Sequence, residues 1–422
     1  MKVTGIIAEY NPFHNGHKYQ FEQIRKNLGS DYIVVVMNGD FMQRGEPAII
    51  NKYARTHMAL AEGADLVIEL PVLYGTGSAE FFAAGGVRLL QSLHSIDHIC
   101  FGCEYTDLST LQTIASIYAE EPDDFKELFQ QSLRQGISYP KARASALRQY
   151  AAANRISLPE DVHTYMTQPN TILAVEYLKA IYSDHADIEP YLILRKDSGY
   201  HSGQLDDTDH ACSSATAIRS AYSSGGNADA WKRTLPKASG LIMQEAYHTC
   251  APVGIDQFYP LIQYSLWQNQ DRLTDYQDIT EELANRLLSV YQPEFDYTGY
   301  VDAIVNKQYT RTRIMRCLLH LLLGITKAEV QEQMRRCSLP YARILGFRSA
   351  SSELLKAIRE QADLRIIQQL KKAQVELSNS DPAAARLLAL DLHASHMYEQ
   401  VCHQYYHSPF HNEYTTGIII QE

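Results

Sequence analysis

His14-Asn15-Gly16-His17 stands directly after the apolar run Val3 to Ala8, where a first strand should turn into a first helix. Unpaired backbone amides and the helix dipole at such a turn favour an anion. Three residues apart, His14 and His17 share one face of the first helical turn, and Gly16 leaves room for close approach of a nucleotide. The chemistry this could serve is adenylyl transfer. ATP would be held with its α-phosphorus in line with an attacking oxygen while charge on the phosphates is neutralised. The other reading is that both histidines merely cap or pack and Gly16 is a turn residue. The four residues alone leave both open.

A second segment, Cys212-Ser213-Ser214-Ala215-Thr216-Ala217-Ile218-Arg219, reads as a hydroxyl-rich helix start with an arginine one to two turns in. Ser213 or Ser214 can cap free amides, and those amides with Arg219 could hold the β and γ phosphates. An ordinary N-cap with a surface arginine is the alternative, but two anion-ready helix starts favour a nucleotide site. Asp40, after Asn38-Gly39 at a strand end, is a candidate catalytic group that could accept a proton, hold a metal-bound water or cap the next segment. Arg44, in the polar loop Gln43-Arg44-Gly45-Glu46-Pro47, could meet a carboxylate or phosphate. Asn170 could present its amide to adenine or ribose or serve as an N-cap, and Arg195 could meet a phosphate or make a surface ion pair.

The elements that must position these groups alternate. Apolar, β-branched runs at Val3-Ala8, Tyr32-Met37, Leu66-Leu70 and Ile96-Phe101 are separated by helical-length segments, and Tyr191-Leu194 reads as a late strand. That order predicts a Rossmann-like α/β fold with a mainly parallel sheet. Ligands on such sheets sit at the carboxyl ends of the strands, so Tyr10-Asn11, Asn38-Gly39-Asp40, Gly102 and Arg195 should converge on one rim. A helical insertion is expected over about 107–188, including Lys141 to Ala153 and Ile172 to Tyr182. After about residue 260 helical signals dominate, at Glu281-Tyr291, Arg311-Leu323, Ser351-Gln361 and Pro382-Leu390. We therefore expect a catalytic domain over 1–260 and a mostly helical domain over 261–422. Gly226-Asn227-Ala228-Asp229 and Pro252-Val253-Gly254 are plausible breaks.

Composition bounds the remaining classes. The 422 residues, 45% of them apolar, suffice for a substantial core. No apolar stretch approaches membrane-spanning length, and the start lacks the pattern of a signal peptide, so a cytoplasmic protein is expected. Seven scattered cysteines do not suggest a disulfide framework, and Cys100 and Cys103 read as strand-end packing. A formal charge of -11 argues against indiscriminate nucleic-acid binding. It leaves room for local basic patches, with candidates at Arg44, Lys52 and Arg55 and at Lys141, Arg143 and Arg148. His403, His407 and His411 repeat every four residues, but Pro409 should interrupt a helix there. A polar or RNA-facing surface is favoured over a zinc site.

Longer segments carry a resemblance. His14-Asn15-Gly16-His17 resembles the histidine-glycine-histidine signature of a nucleotidyltransferase superfamily, and Ser213 to Arg219 resembles its second phosphate motif. The run Gly5 to His17, Met37 to Ala48, Ala64 to Pro71, Phe101-Gly102-Cys103-Glu104 and Tyr341 to Phe347 together resemble the bacterial tRNA(Met) cytidine acetate ligases, over nearly the whole chain. The resemblance implies activation of acetate by ATP as acetyl-adenylate and transfer of the acetyl group to N4 of the wobble cytidine of elongator tRNA(Met). It further implies an ATP site formed by Ile7, Ala8, Glu9, Tyr10, Asn11, Pro12, Phe13, His14, Asn15, Gly16, His17, Lys18, Tyr19 and Gln20, joined by Gly102, Asn170 and Arg195, with Mg2+ accompanying the nucleotide. His14 and His17 would stabilise the transferring phosphates. Ser214, Arg219 and Asp40 are added from the residues themselves. The alternatives are a small-molecule nucleotidyltransferase of vitamin or cofactor metabolism and a non-catalytic RNA-binding protein.

Overall fold

The computed structural model describes residues 1–135, 139–160, 162–195, 213–225 and 228–422. Cys212 and the proposed break at Gly226-Asn227 lie outside the described residues. The five strands expected from the sequence form: β1 (Val3–Ala8), β2 (Tyr32–Asn38), β3 (Leu66–Leu70), β4 (His98–Cys103) and β5 (Glu189–Leu194). They run parallel in the order β5-β4-β1-β2-β3. Strand β2 shows why both faces must be covered. Ile33, Val35 and Met37 enter one apolar cluster, and the alternate residues Val34 and Val36 enter another, as a two-residue period requires.

The helical insertion is present between β4 and β5, with helices Leu108–Glu120, Asp123–Arg134, Tyr139–Ala153, Val162–Tyr165 and Pro169–Ser183. Helices also dominate after residue 260, but that half is not strand-free. It contributes β6 (Tyr341–Arg348), β7 (Arg365–Ile367) and β8 (Ile419–Gln421). Strand β6 pairs antiparallel with β3, and β7 and β8 each pair parallel with β6, so both halves build one sheet. These strands escape a sequence reading because β7 and β8 have three residues each. In addition, β6 carries a buried arginine and faces a register shift at Val67/Ile68.

Two basic residues expected at the surface are inside. Lys52 and Arg55 are both fully buried on helix Lys52–Ala61. The Lys52 ammonium meets Glu69 at 2.8 Å and Glu413 at 3.0 Å and donates to Ser395 Oγ at 2.6 Å. Arg343 of β6 bridges the same carboxylates, at 2.8 Å to Glu69 and in a short contact to Glu413. Arg55 instead donates to the backbone carbonyls of Glu9, Asn38, Gly39 and Ile50, tying together the ends of β1 and β2.

Helix Pro382–Tyr406 crosses this region with buried Asp391, which accepts from Val72 N–H at 2.7 Å and from the Tyr341 hydroxyl at 2.6 Å. Burial, and then the negative charge of Glu69, push Asp391 up to about 7. An unfolded aspartate titrates near ~4, so folding favours the protonated form. The resulting stability is full below about pH 4 and is lost as pH rises through about 7. Asp391→Asn is expected to flatten the fall in melting temperature between about pH 5 and about pH 8. Thermal melts across that range check this, and an unchanged slope contradicts it.

Candidate active site

The loop after β1 turns directly into helix Asn15–Gln23, and His14 is its N-cap. The cap is reciprocal. Gly16 N–H donates to His14 Nδ1 at 3.1 Å, and His14 N–H donates to His17 Nδ1 at 3.2 Å. The two rings stack at 3.7 Å between centroids, and Tyr10 packs edge-on against His17 at 4.7 Å. A methyl group on Gly16 would lie 2.9 Å from His14 Cε1, so only glycine lets the ring fold back onto the turn. The cap engages only the Nδ1 atom of each ring, so the two readings left open by the sequence do not compete for the same nitrogen.

Electrostatics fix the state of those rings. Burial, and then the charges of Arg195 and Arg219, push His14 down to about 3. His17 lies well below the usual histidine range through burial, then through His14 and Arg195. Both are neutral near pH 7. A neutral imidazole that accepts at Nδ1 carries its proton at Nε2. Each ring therefore keeps one Nε2–H donor that the cap does not consume.

His14 and His17 line a cavity of about 710 Å³ at the carboxyl ends of β1, β4 and β5. The predicted residues Ile7, Ala8, Glu9, Tyr10 and Asn11 line it from the end of β1, and Gly16, Tyr19 and Gln20 from the following helix. Gly102, Asn170 and Arg195 form a second wall, and Ser214 and Arg219 a third. A methyl group on Gly102 would lie 3.2 Å from Arg195 Cγ, so the glycine makes space for the arginine. Ser214 caps helix Ala215–Ser223 by accepting from Ala217 N–H at 3.2 Å, and Arg219 donates to Asn11 O at 2.9 Å.

Four of the contiguous residues do not line the cavity. Phe13 is buried in the apolar cluster below the helix. Lys18 pairs with Glu62 at 2.9 Å, Asn15 is held by the carbonyls of Arg233 and Thr234, and Pro12 is buried after a cis Asn11-Pro12 bond. Asp40 is also placed elsewhere. It is 3% exposed and accepts from Lys52 N–H at 2.7 Å, with its other oxygen 4.0 Å from the Lys52 ammonium. Of its three possible roles, capping the next segment is the one its position supports. The expected rim at Asn38-Gly39-Asp40 is thus not part of the cavity, because β2 ends in a loop that turns inward toward helix Lys52–Ala61.

Other lining residues carried no signal in the sequence. Phe82, Tyr177 and Leu173 form an apolar side of the cavity. Thr312 reaches it from helix Arg311–Leu323 in the second half of the chain. The loop carrying Gln43, Arg44 and Glu46, where the sequence did single out Arg44, also lines the cavity. Its position is fixed by Gln43 N–H donating to Glu9 Oε1 at 2.7 Å. Gly45, at φ 84°, presses against the backbone of Met315 and Arg316, where a side chain would collide.

The remaining motifs lie outside the lining of this cavity. Cys100 and Cys103 are buried in β4, with Cys103 Sγ 3.3 Å from Thr171 Oγ1. Helix Pro382–Tyr406 ends before His407, which adopts φ 55°, so His403, His407 and His411 share no continuous helix. Among the described residues no group of three or more metal-ligating side chains forms. Arg143 pairs with Glu176 at 2.5 Å and lies 3.7 Å over the Tyr118 ring, which leaves Lys141 and Arg148 as the exposed members of that basic set.

A parallel sheet whose first strand delivers a histidine-capped helix to an arginine-lined cavity defines a nucleotidyltransferase, and residues 1–413 match the HIGH nucleotidyl transferase family. The chain is 38% identical over 425 residues to the tRNA(Met) cytidine acetate ligase of Acetivibrio thermocellus, covering 100% of both. Its fold superposes on crystal structures of Thermotoga maritima TmcAL, at TM-score 0.93 for the apo form and 0.90 for the form bound with alpha-thio ATP. Both are 29% identical to this chain and fully covered by it. The chain belongs to the tRNA(Met) cytidine acetate ligase family.

Proposed function

We propose that the protein joins acetate to ATP and passes the acetyl group to N4 of the wobble cytidine of elongator tRNA(Met), giving N4-acetylcytidine. A carboxylate oxygen of acetate attacks the α-phosphorus, the bond to the bridging oxygen breaks, and pyrophosphate leaves with that electron pair. The cytidine amine then attacks the acetyl carbon of the mixed anhydride, AMP departs, and the nitrogen loses a proton. Activation is needed because oxide is a very poor leaving group and the amine's lone pair is delocalised into the ring.

The observation that carries this reading is the pair of stacked imidazoles whose Nδ1 atoms are taken by backbone amides, leaving their Nε2 atoms free of the cap, in a cavity also walled by Arg195 and Arg219. Donors held in place by the backbone need no reorganisation as charge develops on the phosphates. Support for ATP comes from the TmcAL structure bound with alpha-thio ATP, and support for the acceptor from the relative's name.

The donor set also suits Mg2+. Glu9 and Glu46 line the cavity, and a hard cation bound with a nucleotide takes one or two carboxylates besides phosphate oxygens. It would supply further neutralisation of the leaving pyrophosphate. The exposed Lys141 and Arg148, with the helical second half, are proposed to meet tRNA phosphates, and the protein would act in the cytoplasm. Among the described residues no helix is long and apolar enough to cross a membrane.

Pyrophosphate release from ATP with and without acetate and elongator tRNA(Met) tests the reading. Release that depends on acetate is expected. A folded protein that binds ATP but releases no pyrophosphate with acetate present contradicts it, and would return the protein to a binding role.

A further inference from the structure

We propose that Glu104 is a positioning residue of the nucleotide site, acting through Asn170 on Arg195; this rests on the ATP-binding reading above. Glu104 follows β4 directly, and no role for it is legible in the sequence. Its Oε1 accepts from the Asn170 side-chain amide at 2.5 Å and from Asn170 N–H at 3.3 Å. Its Oε2 accepts from Thr171 N–H at 2.7 Å and from the Thr171 hydroxyl at 2.9 Å. One carboxylate thus caps helix Pro169–Ser183 and grips the side chain of its second residue.

The grip has a direction. A carboxylate only accepts and a guanidinium only donates, so an amide between them can face only one way. Asn170 gives its Nδ2 to Glu104 and receives Arg195 Nη1 on Oδ1 at 3.1 Å. Arg195 in turn is close enough to the two histidines that its charge depresses both. Glu104 therefore sets the amide, the amide sets the guanidinium, and the guanidinium stands beside the imidazoles. Asn170, Arg195, His14 and His17 all line the cavity, whereas Glu104 does not.

A cap alone would predict only a stability effect, so the test must read the amide's direction. Glu104→Gln keeps an acceptor for Thr171 but can present an NH2 group to Asn170, turning the amide so that its donors face Arg195. The KM for ATP is expected to rise about tenfold, the effect of one misdirected charge-assisted hydrogen bond. Asn170→Asp alone places two carboxylates in contact and should impair binding at least as much. The double variant Glu104→Gln/Asn170→Asp reverses the polarity of the first bond while restoring an acceptor for Arg195. It is expected to bind ATP better than either single variant, with melting curves confirming that all four proteins fold.

Multiplicative losses in the double variant, or an unchanged KM in Glu104→Gln, overturn the proposal and reduce Glu104 to a helix cap. Calorimetry of the unaltered protein with ATP keeps the two readings apart. If that protein fails to bind ATP, the nucleotide site itself is wrong. If it binds ATP and the variants show no coupling, only the positioning role fails.

Discussion

His17→Asn lowers the rate of acetate-dependent pyrophosphate release by about 10²–10³-fold, the usual cost of removing one preorganised donor to a developing oxyanion. Asparagine can still accept from His14 N–H through its side-chain oxygen, so the helix cap survives while the Nε2–H is lost. His14→Asn makes the same separation at the other ring, because its oxygen can still take the Gly16 amide that His14 Nδ1 takes now. Stability should change by less than ~1 kcal/mol in His14→Asn, since asparagine is a good N-cap, whereas His17→Asn also gives up the ring packing against Tyr10 and Phe13. Single-turnover pyrophosphate release alongside denaturant melts checks this. A variant that keeps full rate would show that the imidazoles serve only to cap. One that loses rate in proportion to a lost fold would leave their chemistry without support.

Lys52→Met has the largest expected effect on stability. It removes a cation that buried Glu69 and Glu413 share and leaves them with Arg343 as their remaining cation, Glu413 keeping in addition the Tyr53 hydroxyl at 3.2 Å. Breaking a buried ion pair from one side costs about 3–5 kcal/mol, because the stranded charge is not rehydrated. The network joins β3, β6, helix Pro382–Tyr406 and the segment carrying Glu413, so the loss should appear in global unfolding by urea. Burial alone would push Glu413 up, but Lys52 and Arg343 outweigh it and hold the carboxyl down at about 2. Its contribution is therefore present above about pH 4.5, the ordinary glutamate range, and lost as pH falls toward 2. A Lys52→Met protein within about 1 kcal/mol of the unaltered one would mean that the cluster rearranges without cost.

The same residues show what a sequence can and cannot convey. Strands β1 and β3 are legible to the residue because their apolar β-branched runs are bounded by turns on both sides. The histidine-capped helix is legible because a polar turn after the first strand of a parallel sheet has few other uses. Lys52 and Arg55 misled because residue type reports average exposure. Their carboxylate and carbonyl partners come from up to 361 positions away, and no local pattern announces them.

Asp40 was placed at the correct strand end, but which way the following loop carries the side chain depends on packing against Lys52. Strand β6 is hidden for a related reason. Arg343 interrupts its apolar pattern, and it is satisfied only by Glu69 and Glu413 on other elements. Glu104 closes the segment Phe101-Gly102-Cys103-Glu104 without a role readable there, since its partners are Asn170 and Thr171, which the insertion brings back beside it.

In the proposed reaction this cavity makes acetyl-adenylate and delivers its acetyl group to a tRNA base. Incubating the protein with isotopically labelled acetate, ATP and elongator tRNA(Met), then digesting the RNA to nucleosides for mass analysis, tests it most directly. One labelled acetyl group on cytidine is expected, present only when ATP is supplied and strongly reduced in His17→Asn. Labelled AMP anhydride without any labelled nucleoside would contradict the transfer step, and labelled cytidine formed without ATP would contradict the activation step.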